Sequence, residues 1–243
     1  MRATLTLVTN TWNEEENLRP LFNCVATVVD EIIVVDTGST DNTRELARKL
    51  GARVYDIGPL AHKCACGADV LSGPGFGDLR TLTHHLARTD WTLLLDGDER
   101  FLPHDSAKIH DFLRPELDLV WLPRKHYRTW DMSVCENDDL TVHPDWQSRL
   151  VRNNKLAFWT RRVHEQMHGV DIKHELRDLS APIVRHFGWL KTQARLDKIK
   201  EVCDVNWRAD ETFAHTYTLE QRAGTSNGPD YWREKQESVY AGQ

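Results

Sequence analysis

The stretch Thr89–Arg100, TDWTLLLDGDER, ends an apolar run in Asp96-Gly97-Asp98-Glu99-Arg100. Carboxylates this close repel one another, so a cation or a basic partner must offset them. Asp96 and Asp98 alternate around a glycine that permits a tight bend, and such a pair can face one hard cation. Oxygen donors suit magnesium or manganese, ions that keep open positions for a phosphate-bearing substrate. The plain alternative is a solvated acidic turn, because a D-x-D triplet alone is common. A second candidate is Asp36-Thr37-Gly38-Ser39-Thr40-Asp41. Here Ser39, Thr40 and Asp41 read as turn and helix-capping residues. Asp36, at a strand end without capping duty, is free to accept hydrogens from a base.

These residues must be held by elements that the apolar periodicity outlines. Thr4–Val8 reads as a strand and Asn13–Val25 as a helix with Leu18, Leu21, Phe22 and Val25 on one face. EIIVVD, Glu31–Asp36, is the continuous apolar run of a strand buried on both faces. A capped helix with Leu46 and Leu50 follows and stops at Gly51; Arg53–Ile57 is a strand, Leu79–Arg88 a helix and Trp91–Asp96 a strand. Alternating strand and helix means parallel strands with right-handed crossovers. Their carboxyl ends, Thr9-Asn10, Asp36, Asp56 and Asp96, then share one sheet edge, where open α/β sheets bind ligands. Beyond Arg100 the expected elements are a helix over Asp105–Leu113, a strand over Leu117–Pro123, a hairpin turning at Asn153-Asn154, and an amphipathic helix over Lys191–Trp207. No linker is visible, so residues 1–223 read as one domain, with 224–243 a polar tail or lid.

Three segments, TLVTNTWNEEENL, EIIVVDTGSTDNT and WTLLLDGDE, in this order and spacing resemble the amino-terminal half of family 2 glycosyltransferases. The resemblance implies the GT-A fold, a Rossmann-like, mostly parallel sheet flanked by helices, with a mixed hairpin and helix region after it. It implies that Thr9, Asn10, Trp12, Glu14 and Asp36 surround the nucleotide of a UDP-sugar, with Asp96 and Gly97 beside it. It also implies that Asp98 and Asp96 hold a divalent ion, manganese or magnesium. DWQSRLVRNNKLAFWTRRVHEQMHG and VRHFGW resemble later parts of one branch of that family, which nominates His164 and His186 to complete the metal shell. Arg80 stands where relatives commonly show Arg-Asn, here Arg80-Thr81, and a guanidinium there can meet a diphosphate. Inverting transfer needs a carboxylate base, for which the candidates are Glu165 and Asp145, with Glu99 third. An exposed Glu165 paired with Arg161 or Arg162 is the structural alternative. Residues 60–75 read as an insertion, a loop whose His62, Cys64 and Cys66 lack a fourth zinc ligand at standard spacing.

Bulk properties narrow the rest. Of 243 residues, 40% are apolar and 28% charged, with net charge −6, as in soluble globular proteins without a strongly basic footprint. The first residues form neither a secretory signal nor a membrane span, and five cysteines without an export signal suit reduced thiols, so a cytoplasmic location is expected. The acceptor stays open among a saccharide, a protein side chain, a small molecule and a modified nucleic-acid base. The cluster RKHYRTW, 124–130, reads as a solvated sheet edge or, less simply, a nucleic-acid contact. Rival readings are a sugar-phosphate nucleotidyltransferase, disfavoured by the acidic, glycine-free loop after the first strand, and a non-catalytic nucleotide-sugar binding module.

Overall fold

The computed structural model describes residues 2–58, 75–162, 165–169 and 174–201. Strand β1 (Leu5–Thr11) lies between β2 (Glu31–Asp36) and β4 (Trp91–Leu94), and β3 (Arg53–Asp56) flanks β2; all these pairs are parallel. The register aligns Thr11 with Asp36 and Asp36 with Asp56, so the polar strand ends share one edge as the sequence pattern predicts. Leu5, Leu7, Ile33, Val34, Val35 and Leu93 are fully buried, which is what a sheet covered on both faces requires.

Helix α1 (Glu15–Val25) and helix α2 (Thr43–Lys49) cover one face, where Leu18, Leu21, Phe22 and Val25 join Leu5, Leu7, Val34 and Leu93 in the larger core. Helix α2 stops where Gly51 turns at φ +91°, a left-handed cap that glycine adopts without strain. Helix α3 (Phe76–Leu86) lies over the other face, and there Val8, Ile33, Leu94 and Trp159 form a second apolar cluster. Gly77 lets α3 approach the segment after Thr160: a Cβ there would lie 2.6 Å from the Arg161 carbonyl oxygen.

After β4 the chain makes the acidic turn and enters β5 (Glu99–Arg100). The later strands are β6 (Leu119–His126), β7 (Asp145–Arg152), β8 (Phe158–Thr160), β9 (Gln166–His168), β10 (Glu175–Arg177) and β11 (Val184–His186). The sheet runs β3-β2-β1-β4-β7-β6-β11-β5, with β10 also on β6. Between β4 and β5 there are four strand spacings, about 19 Å if the sheet were flat. The chain from Leu94 to Glu99 can span only about 17 Å at full extension. The sheet therefore curls, and the acidic turn bridges the mouth of the curl.

Three expectations need correction. The segments flanking Asn153-Asn154 do not form a hairpin: β7 enters the main sheet antiparallel to β4 and β6, whereas β8 pairs with β9 in a separate ribbon. The helix expected over Asp105–Leu113 is broken into a short helix α4 (Pro103–Ser106) and a 3-10 turn (Ile109–Phe112). Arg124 and His126 do not lie on a solvated edge, because β6 is paired on both sides and carries them into the curl. The carboxy-terminal helix is present over residues 193–201.

Candidate active site

The acidic turn is offset by the protein's own cations. Arg80, from α3, donates to Asp96 Oδ1 at 2.9 Å, and Arg149, from β7, donates to Asp96 Oδ2 at 3.0 Å. The Glu99 carboxylate accepts Arg149 at 2.5 Å and Arg124 at 3.0 Å through Oε1, and the Asp96 amide at 3.1 Å through Oε2. Glu99, fully buried, is thus consumed in holding the turn. Burial works to raise the Asp96 pKa, but Arg80, Arg149 and Arg124 outweigh it and hold the group far below the usual carboxylate range.

Asp98 faces a different set. Lys191 Nζ lies 2.6 Å from its Oδ2, and His186 Nε2 lies 3.8 Å from its Oδ1. Lys191 also reaches Glu14 Oε1 at 3.3 Å, where Arg195 arrives at 2.5 Å. Burial opposes ionisation of Asp98, yet His186 and Lys191 keep its pKa below the ordinary value. Burial raises Glu14, against the opposing pull of Lys191, and pushes His186 down to about 3, so this imidazole is neutral. Two glycines make the arrangement possible. A Cβ at Gly97 would lie 2.7 Å from Glu14 Cγ, and one at Gly188 would lie 2.3 Å from His186 Nε2.

On the other side of the mouth, Asp36 Oδ1 accepts the amides of Gly38 and Ser39 at 3.1 and 2.9 Å, and its Oδ2 accepts the Ser39 hydroxyl at 2.5 Å. Asp36 caps no helix, as the sequence suggests, but its carboxylate shapes the turn that follows β2. Asn13 stitches this turn to α1, donating its amide to Ser39 and accepting the Thr40 amide at 2.7 Å. Thr9 is buried with its hydroxyl unpartnered, and Asn10 accepts the Thr83 hydroxyl at 2.5 Å. The Trp12 carbonyl accepts Arg195 at 2.8 Å, so the carboxy-terminal helix straps the loop after β1.

The two candidate bases occupy unlike settings. Glu165 meets Arg80 at 3.0 Å rather than Arg161 or Arg162. Asp145, at the start of β7, gives one oxygen, Oδ2, to both Arg124 at 2.8 Å and His126 at 2.7 Å. Burial would raise its pKa, but Arg124 and His126 hold it far below the ordinary range. His126 in turn contacts His186, Nδ1 to Nδ1, at 2.9 Å. His164, His62, Cys64, Cys66 and Cys203 lie outside the described residues, as does the 224–243 tail.

The structure thus gathers Glu14, Arg80, Asp96, Gly97, Asp98, Asp145, Glu165 and His186 around one network and leaves Asp36 in its own turn. Sequence reasoning missed Arg124, His126, Arg149, Lys191 and Arg195 as site residues. The signal available was weak: β6 ends in Arg124, Lys125 and His126 and β7 carries Arg149 and Arg152, but nothing local pairs Arg124 and Arg149 with Glu99, 25 and 50 positions away.

Comparison with known proteins points one way. The family model for Glycosyl transferase family 2 matches residues 6–63. A protein of Rickettsia conorii named as an uncharacterized glycosyltransferase is 35% identical over 89 residues, 37% of this chain and 27% of that protein. Glycosyltransferase AglJ of Haloferax volcanii is 32% identical over 119 residues, 47% of this chain and 34% of that protein. The chain thus spans about a quarter to a third of the length of these relatives. Among solved structures, glucosyl-3-phosphoglycerate synthase from Mycobacterium tuberculosis, in complex with Mn2+, UDP and glucosyl-3-phosphoglycerate, aligns at 25% identity with TM-score 0.39, over 52% of this chain and 45% of that one. Over residues 6–63, which take in β1 to β3 with α1 and α2, the chain resembles the family 2 glycosyltransferases.

Proposed function

We propose that the chain is a glycosyltransferase that moves a sugar, a hexose, from a UDP-sugar to an acceptor hydroxyl, inverting the anomeric carbon. The observation that carries this reading is Asp98 at the carboxyl edge of the parallel strands, facing a neutral imidazole nitrogen and an ammonium. The family match in residues 6–63 supports it.

The residues present fit a divalent cation. Asp98 offers a hard oxygen and His186 a nitrogen, and Lys191 shows that positive charge is welcome between Asp98 and Glu14. With few protein ligands, a bound diphosphate would supply others, as suits magnesium or manganese. Asp96 is committed to Arg80 and Arg149, which leaves Asp98 and His186 to hold the ion. When bound, the ion supplies charge stabilisation for the departing phosphate. Lys191, already at Asp98, adds a basic side chain for the same diphosphate. Of the two base candidates Glu165 suits better, because Asp145 holds its proton too weakly near neutral pH.

Calorimetric titration with UDP, with and without manganese, tests the reading alongside Asp98→Ala. The expected result is manganese-dependent binding that the variant loses. Equal binding without metal and in the variant would remove the acidic turn from the site, and no binding in either condition would sink the UDP assignment. Among the described residues no helix is long and apolar enough to cross a membrane.

A further inference from the structure

Beside the charged network stands an aromatic stack that the reaction as described does not use. Phe187, the residue after β11, is buried and stacks on Tyr127 with centroids 5.6 Å apart and on Trp130 at 5.4 Å. The stack is tied to the acidic turn, because the Phe187 amide donates to the Asp98 carbonyl at 2.9 Å. Tyr127 and Phe187 are buried, whereas Trp130 stays 56% exposed. A lone exposed apolar side chain is ordinary on a protein surface. This one is held still by its loop. Tyr127 bridges to Cys135, the Arg128 amide donates to the Val134 carbonyl at 3.0 Å, and Ser133 donates its amide and hydroxyl to Asp131 at 3.0 and 2.7 Å. An indole already fixed in place spares a ligand part of the ordering entropy of binding.

Arg100 adds a charge to the same place. Its guanidinium lies over the rings of Trp130 and Phe187, 5.2 and 4.6 Å from their centroids. It donates to Asn17 Oδ1 at 3.2 Å and, among the described residues, pairs with no carboxylate. The other cations of the mouth are engaged: Arg80 and Arg149 hold Asp96, Arg124 holds Glu99 and Asp145, and Lys191 holds Asp98. Burial lowers the Arg100 pKa below its ordinary value, and Cys24 and Asp98 oppose this only in part.

We infer that Trp130 and Arg100 form the acceptor subsite, and that the acceptor is a saccharide with one anionic group, a carboxylate or a phosphate. The C–H face of a pyranose ring lies on the open indole while its hydroxyls stay in water. The anion meets the planar guanidinium, whose remaining N–H groups match either oxyanion. The inference rests on the proposed transferase reading for its purpose. A nucleic acid fits poorly. Lys125 and Arg128, the nearby cations on this segment, are paired with Asp138 and Glu136, and Asp131 and Asp139 add exposed negative charge. One open guanidinium suits one anionic group, whereas a phosphate backbone needs several cations.

The test replaces the nine tryptophans with 5-fluorotryptophan and reads fluorine-19 NMR of the full chain with UDP and Mn2+ present, Trp130 being the signal lost in Trp130→Phe. The probes are glucuronate, glucose 6-phosphate, methyl glucoside, inorganic phosphate and a thymidine oligonucleotide. At least one of the two acidic sugars should shift the Trp130 signal saturably, and the tighter one identifies the anionic group. Methyl glucoside, which lacks the anion, and inorganic phosphate, which lacks the ring, should each bind about tenfold more weakly. In Arg100→Gln the acidic sugars should fall to the level of methyl glucoside. A Trp130 signal that no sugar moves overturns the inference, as does methyl glucoside or phosphate binding as tightly as the acidic sugars. An oligonucleotide that binds more tightly than either acidic sugar overturns it in favour of a nucleic-acid contact. Calorimetry of UDP with Mn2+ separates the two readings. UDP binding with an unmoved Trp130 sinks the subsite alone, and an acidic sugar at Trp130 without any UDP binding leaves a saccharide site but sinks the transferase.

Discussion

The two halves of the sheet are built on different principles. Strands β1 to β4 are parallel and lined by apolar side chains, and the turn after β2 satisfies itself locally: Asp36 bonds residues two and three positions on. Strands β6, β7 and β11 carry Arg124, His126, Arg149 and His186, whose partners lie far away in sequence, at Glu99, Asp145, Asp96 and Asp98. The first half supplies a rigid edge; the second folds a charged network over it. A site assembled this way has Glu14, Asp96 and Asp98 on the first half and most of its cations, with Asp145 and Glu165, on the second, so neither half is electrostatically complete alone.

The largest effect should come from breaking that exchange. Arg149, 2% exposed, neutralises both Asp96 and Glu99, and Arg149→Met leaves the fully buried Glu99 carboxylate without one of its two guanidinium partners. A loss of about 3–5 kcal/mol in urea unfolding is expected; less than about 1 kcal/mol would show that the network is not structural. On the apolar side, Leu93→Ala in β4 removes a fully buried side chain between β1 and β7. It should cost about 2–4 kcal/mol while leaving the charge network, and hence UDP binding per folded molecule, intact.

A pH experiment sharpens the contrast within the apolar half. His84 on α3 is fully buried, bonded through Nδ1 to Thr92 at 2.7 Å, with Nε2 unpartnered. Burial, aided by His85 and Lys155, lowers its pKa from 6.5 to about 3. Between those values the unfolded chain takes up a proton that the folded chain refuses, so stability is present above pH 6.5 and falls as pH decreases. The slope should reach up to about 1.4 kcal/mol per pH unit. Urea midpoints from pH 6.5 down to 4.5 should drop less steeply in His84→Gln than in the wild type; parallel curves would contradict a neutral buried His84.

Smaller effects are expected where charge is exchangeable or exposed. Lys191 competes for Asp98, so Lys191→Met should tighten binding of Mn2+ alone, by about tenfold, or about 1.4 kcal/mol. Unchanged or weaker binding would mean that the ammonium does not occupy the ion's place. At the bottom of the scale, Asp138→Asn removes a pair between Lys125 and a carboxylate whose side chain is 81% exposed. Its effect on unfolding should stay under about 0.5 kcal/mol, as for surface pairs generally.

The amino-terminal half was legible because its determinants are local. The run EIIVVD forms β2 over the expected residues, Gly51 ends α2, and the polar strand ends align on one edge. Periodicity and turn residues encode such features within a few positions. Locality also marks where the reading failed. The Asn153-Asn154 turn suggested a hairpin, but β7 finds better burial between β4 and β6, and no short-range pattern reports that choice.

The sequence by itself determined the parallel core, the carboxyl-edge placement of Asp36 and Asp96-Gly97-Asp98, and the likeness to family 2 glycosyltransferases. Only the tertiary structure decided which charges meet. A short acidic turn forces the sheet to curl, and the curl brings Arg80, Arg124, Arg149 and Lys191 onto carboxylates that sequence spacing could not pair. It also separated Asp96 from Asp98, because electrostatic energy depends on distance in space, and two guanidiniums claim one while an imidazole and an ammonium claim the other.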